Sequence, residues 1–173
     1  MKNILIVIDM QKDFIDGSLG TKEAQKIVEC VLDKIGQYPK ENIIATRDTH
    51  EENYLETQEG KKLPVLHCIR GTEGWELDKR IAQALESVRI IDKPTFGSVE
   101  LVELLFQESK NEELEVELVG LCTDICVVSN AILLKARMPE MKISVDSSCC
   151  AGVTPETHKA ALTTLAMCQI TVK

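Results

Sequence analysis

The sequence predicts an α/β protein of three layers, α/β/α, around a six-stranded, mostly parallel sheet. Two observations predict it. Six short β-rich apolar runs recur along the 173 residues: NILIVI at 3–8, NIIAT at 42–46, VRIID at 88–92, EVELVG at 115–120, KISV at 142–145 and QITV at 169–172. Between them lie stretches whose apolar residues repeat with helical period. Strand alternating with helix calls for parallel pairing, and runs apolar through their length suit strands covered on both faces.

The helices follow in order. Ala24, Ile27, Val28, Val31, Leu32 and Ile35 mark the first; Leu77, Ile81, Ala84 and Leu85 the second; Val99, Leu101, Val102, Leu104 and Leu105 the third. A fourth begins near Asp124, with Thr123 or Asp124 as its cap, and stops before Pro139. A fifth runs from Pro155, with Thr154 as N-cap and the proline at the first helical position. The segment 47–75 fits neither period. A long irregular stretch in a compact domain is usually functional or disordered, and this one holds two of the three histidines.

Composition narrows the function. At 173 residues the chain fits one domain, 1–173. No apolar run approaches the roughly eighteen residues of a membrane span, and the N-terminal run reads as a buried strand, not a signal peptide. Cytoplasmic residence is the expectation. A net charge of −8 without a basic block argues against nucleic acid or an anionic membrane as partner and favours a small molecule. Seven cysteines do not read as a disulfide framework in such a chain; buried thiols, a metal site or a reactive thiol fit better.

In an open parallel sheet, ligands bind at the carboxyl ends of the strands. Asp9 follows the first strand, Arg47 to His50 the second, Lys93 the third and LCTDIC the fourth, so four polar clusters fall on one edge. A cysteine nucleophile needs help to ionise from its free pKa of about 8.5. Cys126 has the expected helix N-terminus, Lys93 as a cation and Asp9 as a proton acceptor. The plain alternatives are a cap for Asp9, a surface ion pair for Lys93 and an inert buried thiol for Cys126. Cys122 and Cys126 miss the Cys-x-x-Cys redox spacing by one. Asp48, His50 and His67 suit zinc or a similar divalent ion, with Glu59 the first choice as fourth ligand and Glu56, Glu52 or water behind it. Solvated loop residues are the alternative. Phe14 and Phe96 form either an apolar wall for a flat ring or ordinary packing. No glycine-rich dinucleotide or P-loop motif is present.

Together, VIDMQKDFIDGSL, RDTHEEN, LHCIRGTEGWEL, DKPTFGS, GLCTDICV and DSSCCAGVTPETHKAAL resemble the isochorismatase-like cysteine hydrolases, closest to nicotinamidases, over nearly the whole chain. The resemblance implies a Rossmann-like α/β/α fold and an Asp9, Lys93 and Cys126 triad that hydrolyses an amide through a thioester. It also implies a cis peptide bond between Leu121 and Cys122, with the backbone N–H groups of Cys122 and Cys126 as an oxyanion hole. Asp48, His50 and His67 match metal ligands, with Glu59 in place of a fourth histidine and zinc as the expected ion. Phe14 and Phe96 match ring-flanking positions, and Leu66 or Pro64 stands where some relatives have tryptophan. The implied substrate is a small amide, nicotinamide first, and the implied assembly a homo-oligomer. Alternatives are another amide or N-carbamoyl substrate, or a catalytically silent binding or assembly module.

Overall fold

Alternation within the first strand decides how the layers form. In β1 (Lys2–Ile8), Leu5 and Val7 point to one side and Ile4, Ile6 and Ile8 to the other, and all five are buried. A strand buried on both faces needs helices above and below it. The structure, a computed structural model describing residues 1–173, supplies them. Two apolar clusters of 22 buried residues each flank the sheet, so neither face is left to solvent.

The remaining strands are β2 (Ile43–Asp48), β3 (Arg89–Lys93), β4 (Leu114–Leu121), β5 (Lys142–Ala151) and β6 (Thr171–Val172), in the order β3-β2-β1-β4-β5-β6. Every pairing is parallel, so the expected mostly parallel sheet is wholly parallel. The chain winds outward from β1 to β3, returns to β4 beside β1, and winds outward the other way. The β1/β4 junction is therefore the topological switch point, where a crevice opens beyond the strand ends. Strand β3 lies at an edge, which leaves Ile90 39% exposed despite its apolar run.

Helix α1 (Lys12–Ile15) and helix α2 (Lys22–Ile35) follow β1. Thr21 caps α2 by accepting the Ala24 N–H at 3.0 Å, and Ala24, Ile27, Val28, Val31 and Ile35 form its buried stripe. Helices α3 (Gln58–Lys62), α4 (Lys79–Ala84), α5 (Val99–Ser109), α6 (Val128–Arg137) and α7 (Pro155–Met167) complete the set. The α7 start has the expected form: Thr154 accepts the Thr157 N–H at 3.1 Å, and Pro155 opens the helix. In α5, Leu101, Val102 and Leu105 are buried, whereas Val99 is 73% exposed and outside the stripe.

Three expectations are corrected. The segment 47–75 is not irregular throughout: it contains a 3₁₀ turn at Tyr54–Glu56 and α3, both too short to show a helical period. Strand β5 continues past Val145 to Ala151. Between the pairs Leu118↔Val145 and Gly120↔Cys150, β4 advances two residues and β5 five, so a bulge hides the strand's alternation. Finally, neither Thr123 nor Asp124 caps the fourth helix. The chain enters it through a π-helical turn, Thr123–Val127, preceded by Cys122 with no side-chain cap. Thr123 Oγ1 is engaged with His158 Nδ1 at 2.8 Å, and Asp124 accepts the Val153 N–H at 3.2 Å.

Candidate active site

Asp9, directly after β1, has φ = 46°, the left-handed region that non-glycine residues seldom occupy. Beside it, Gly120 in β4 has φ = 118°, and a Cβ there would sit 2.1 Å from the Ile8 carbonyl oxygen. Only glycine lets the two central strands close at this level. The ends of β1 and β4 therefore approach tightly and place Asp9 next to the turn that carries Cys126. The bond from Leu121 to Cys122 is cis. The Cys122 carbonyl accepts the N–H groups of Ile125 and Val127, each at 3.1 Å, while its own N–H donates to no protein atom.

Lys93, the last residue of β3, reaches back over β2 and β1. Its Nζ lies 2.7 Å from Asp9 Oδ2, 3.2 Å from Cys126 Sγ and 3.4 Å from Asp48 Oδ1, and it donates to the Thr95 carbonyl at 3.2 Å. The acid, amine and thiol that the sequence spreads over 118 positions thus converge; Asp9, Lys93 and Cys126 are all at most 3% exposed. Thr46 Oγ1 donates to Asp9 Oδ1 at 2.6 Å and fixes the carboxylate.

Burial sets the protonation of this trio. It pushes the Cys126 thiol well above its ordinary value, and the Asp9 carboxylate beside it adds to the rise, outweighing Lys93. The turn before α6 is π-helical, and burial together with Asp9 works against the ionised sulfur that a helix N-terminus and Lys93 would favour. Burial likewise raises the Asp9 carboxyl against the pull of Lys93, which makes it a stronger base than a free carboxylate. Burial works to strip the Lys93 proton, but the Asp9 and Asp48 carboxylates hold it as an ammonium.

Next to the trio, Asp48, His50 and His67 are buried with ligand atoms all within 4.8 Å of one another. His50 Nε2 is 3.1 Å from Asp48 Oδ2 and 3.6 Å from Glu59 Oε1; His67 Nε2 is 3.8 Å and 3.9 Å from the same two oxygens. A tetrahedron with bonds of ~2.1 Å to a zinc ion has edges of about 3.4 Å, close to these separations. His50 Nε2 is buried yet poorly aligned for any hydrogen bond. His67 Nδ1 sits 2.8 Å from the Val65 carbonyl, so it carries the proton and Nε2 presents a lone pair inward. The three donors fit a divalent ion; Glu59 Oε1 lies within 3.9 Å of both histidines, whereas Glu56 is exposed. Gly60 permits this: a Cβ there would meet Tyr54 O at 2.1 Å, so glycine lets α3 settle on the preceding turn.

A cavity of about 560 Å³ connects the two groups, within the range of small-molecule sites. Phe14, Leu19, Leu63, Phe96, Ile125 and Pro94 give it apolar walls, and Asp48, His50, His67, Glu59, Cys122 and Cys126 its polar end. Phe14 packs on His67 with ring centroids 5.7 Å apart, and Phe96 is 43% exposed at the rim. Leu66 and Pro64 do not line this cavity. The chain turns Leu66 outward at 53% exposure, and Leu63 fills the wall instead.

Sequence reasoning missed several supports. Gln11 accepts the Asp48 N–H at 2.7 Å and donates to the carbonyls of Asp48 and Trp75 at 2.8 Å each. Asp13 accepts the Cys68 N–H at 2.8 Å, next to His67. Tyr54, fully buried, packs on both histidine rings. Polar residues clustered after the first strand were the only available signal for Gln11 and Asp13.

A wholly parallel sheet with a buried acid, amine and thiol at its switch point defines an α/β enzyme. Residues 3–173 match the isochorismatase domain, and the chain belongs to the isochorismatase family. It is 27% identical over 177 residues to the uncharacterized isochorismatase family protein PncA of Bacillus subtilis (strain 168), covering 94% of this chain and 93% of that one. The pyrazinamidase/nicotinamidase of Streptococcus mutans UA159 superposes with a TM-score of 0.83 at 28% identity, over 99% of this chain and 100% of the other. The pyrazinamidase of Pyrococcus horikoshii, solved in complex with zinc, superposes at 0.80 and 26% identity, over 100% and 99%.

Proposed function

We propose that this protein is a cysteine amidohydrolase that converts nicotinamide and water to nicotinate and ammonia. The observation that carries this reading is the position of Lys93 Nζ, 2.7 Å from Asp9 and 3.2 Å from the sulfur of Cys126, which itself lines a cavity walled by Phe14 and Phe96. Relatives of similar fold that are called nicotinamidases and pyrazinamidases support the substrate class.

In this mechanism Asp9 takes the Cys126 proton as the sulfur attacks the carboxamide carbon, and the Lys93 ammonium offsets the negative charge that passes from carboxylate to sulfur. The N–H groups of Cys122 and Cys126 receive the oxyanion. Protonated Asp9 returns its proton to the leaving nitrogen, and ammonia departs, leaving a thioester on Cys126. Water, deprotonated by Asp9, attacks the thioester carbon. The carbon–sulfur bond breaks, the sulfur regains the proton from Asp9, and the product leaves as nicotinate, its carboxyl proton taken up by the released ammonia. Phe14 and Phe96 hold the flat ring. Asp48, His50, His67 and Glu59 would hold a divalent ion, zinc first, which when bound supplies a Lewis acid to anchor the ring nitrogen.

Ammonia release from nicotinamide, measured beside N-carbamoyl amino acids and benzamide, tests the assignment. Turnover of an N-carbamoyl compound with none of nicotinamide would replace the substrate; no turnover of any amide would favour a silent binding module.

A further inference from the structure

Asn130 lies on α6 one turn past Cys126, is fully buried, and touches neither the cavity nor the proposed metal ligands. Its side chain is used at both ends. Nδ2 donates to the Cys126 carbonyl at 2.8 Å and to the Phe96 carbonyl at 3.1 Å, while Oδ1 accepts the Ser98 N–H at 2.8 Å. One amide group thus ties the backbone of the nucleophile to the loop between β3 and α5. That loop follows Lys93, holds the Lys93 ammonium through the Thr95 carbonyl, sets Phe96 at the cavity rim and ends on Ser98, the cap of α5. At its start the backbone is held by the Thr49 N–H, which donates to the Lys93 carbonyl at 3.0 Å; beyond that, Thr95 Oγ1 bonds only within the loop, to the Gly97 carbonyl.

We infer that Asn130 is a positioning residue that locks the Cys126 turn and the loop from Lys93 to Ser98 into one unit, so that sulfur, ammonium and ring wall keep their mutual spacing. The kinetic part of this inference rests on the function proposed above. The geometric reason is direct: the Lys93 to Cys126 distance is set by two segments from different parts of the chain, and no other side chain bonds to the backbone of both. A displacement of about 1 Å at a reacting group is enough to slow chemistry by about a hundredfold.

The test uses Asn130→Ala, which removes all three bonds. Asn130→Asp accompanies it as a near-isosteric variant that keeps the acceptor for Ser98 and loses both donors. Leu134→Val, farther along α6 in the apolar core, serves as a control that loosens packing without touching the loop. Two readouts are taken on folded protein, normalised to the amount of reactive Cys126: steady-state kinetics on nicotinamide, and the rate of Cys126 carboxamidomethylation by iodoacetamide followed by peptide mapping. The expected result for both Asn130 variants is a kcat at least tenfold lower, a KM at least threefold higher, and alkylation of Cys126 at least threefold slower, with Leu134→Val within twofold of the parent in all three. A role confined to stability would lower the melting temperature and leave these normalised values unchanged; that result, or failure of both Asn130 variants to fold, overturns the inference. Should the parent itself ignore nicotinamide, the substrate assignment fails, and the alkylation rates alone decide the role of Asn130.

Discussion

Asp48 faces Lys93 with one carboxylate oxygen, Oδ1 at 3.4 Å from Nζ, and His50 with the other, Oδ2 at 3.1 Å from Nε2. A single buried carboxylate therefore joins the reactive trio to the candidate metal centre. The histidine contact and the Lys93 charge hold the Asp48 carboxyl below the ordinary carboxylate range even though burial works the other way. It stays ionised and available to both neighbours.

Cys126→Ala should abolish ammonia release from nicotinamide, lowering kcat by at least about 10³-fold, with little change in melting temperature because the lost atom is one sulfur. Ammonia assay and thermal unfolding check this. A variant as active as the parent would end the thioester mechanism.

Lys93→Met and Asp9→Asn separate stability from catalysis. Lys93→Met alone strands two buried carboxylates, Asp9 and Asp48, and should cost about 3–5 kcal/mol. Asp9→Asn with Lys93→Met removes most of that imbalance and should recover much of the stability, yet remain inactive. Denaturant unfolding beside the amide assay distinguishes the two. Recovered activity in the double variant would show that the pair serves folding only.

Removal of a bound divalent ion by a chelator should raise KM for nicotinamide strongly while Cys126 still reacts with iodoacetamide at a comparable rate. Zinc titration should report a single site, and Glu59→Gln should weaken it by ten- to a hundredfold. Turnover unchanged by chelation would mean the four donors hold no functional ion.

Gln11→Glu keeps the acceptor for the Asp48 N–H and loses the donor to the carbonyls of Asp48 and Trp75. It should reduce zinc affinity by about tenfold through a loosened Asp48, a change readable by calorimetry without any activity assay.

Acid stability should depend on Glu117. Burial works to raise its pKa, but hydrogen bonds from Lys173 and Tyr38 and the charges of Lys173 and Lys34 lower it, and Asp146 is lowered in the same way by Lys34 and Ser148. Carboxyls lowered in the folded state contribute stability that is fully present above their unfolded values of about 4, and that stability is lost as pH falls through the folded values. Melting temperature should therefore drop below about pH 4, and Glu117→Gln should flatten that drop while lowering stability at neutral pH. An equal acid slope in the variant would place the effect elsewhere.

Sequence alone determined the sheet and its residents, because strands buried on both faces must be apolar throughout and their neighbours must be amphipathic helices. NILIVI, EVELVG and the stripe from Ala24 to Ile35 carry that pattern without reference to anything distant. It also placed Asp9, Lys93 and the Cys122 to Cys126 turn at strand ends, where a parallel sheet collects polar groups. What it left open depended on contacts between segments far apart. The π-helical entry to α6, the bulge in β5 and the pairing of Thr123 with His158 answer to neighbours that no local period records. Only the tertiary structure decided that Glu59 lies near both histidines, that Leu63 and not Leu66 walls the cavity, and that burial and Asp9 push the Cys126 thiol up. Each of these follows from burial and from side-chain approaches that no local period records, quantities that exist only once the chain has closed on itself.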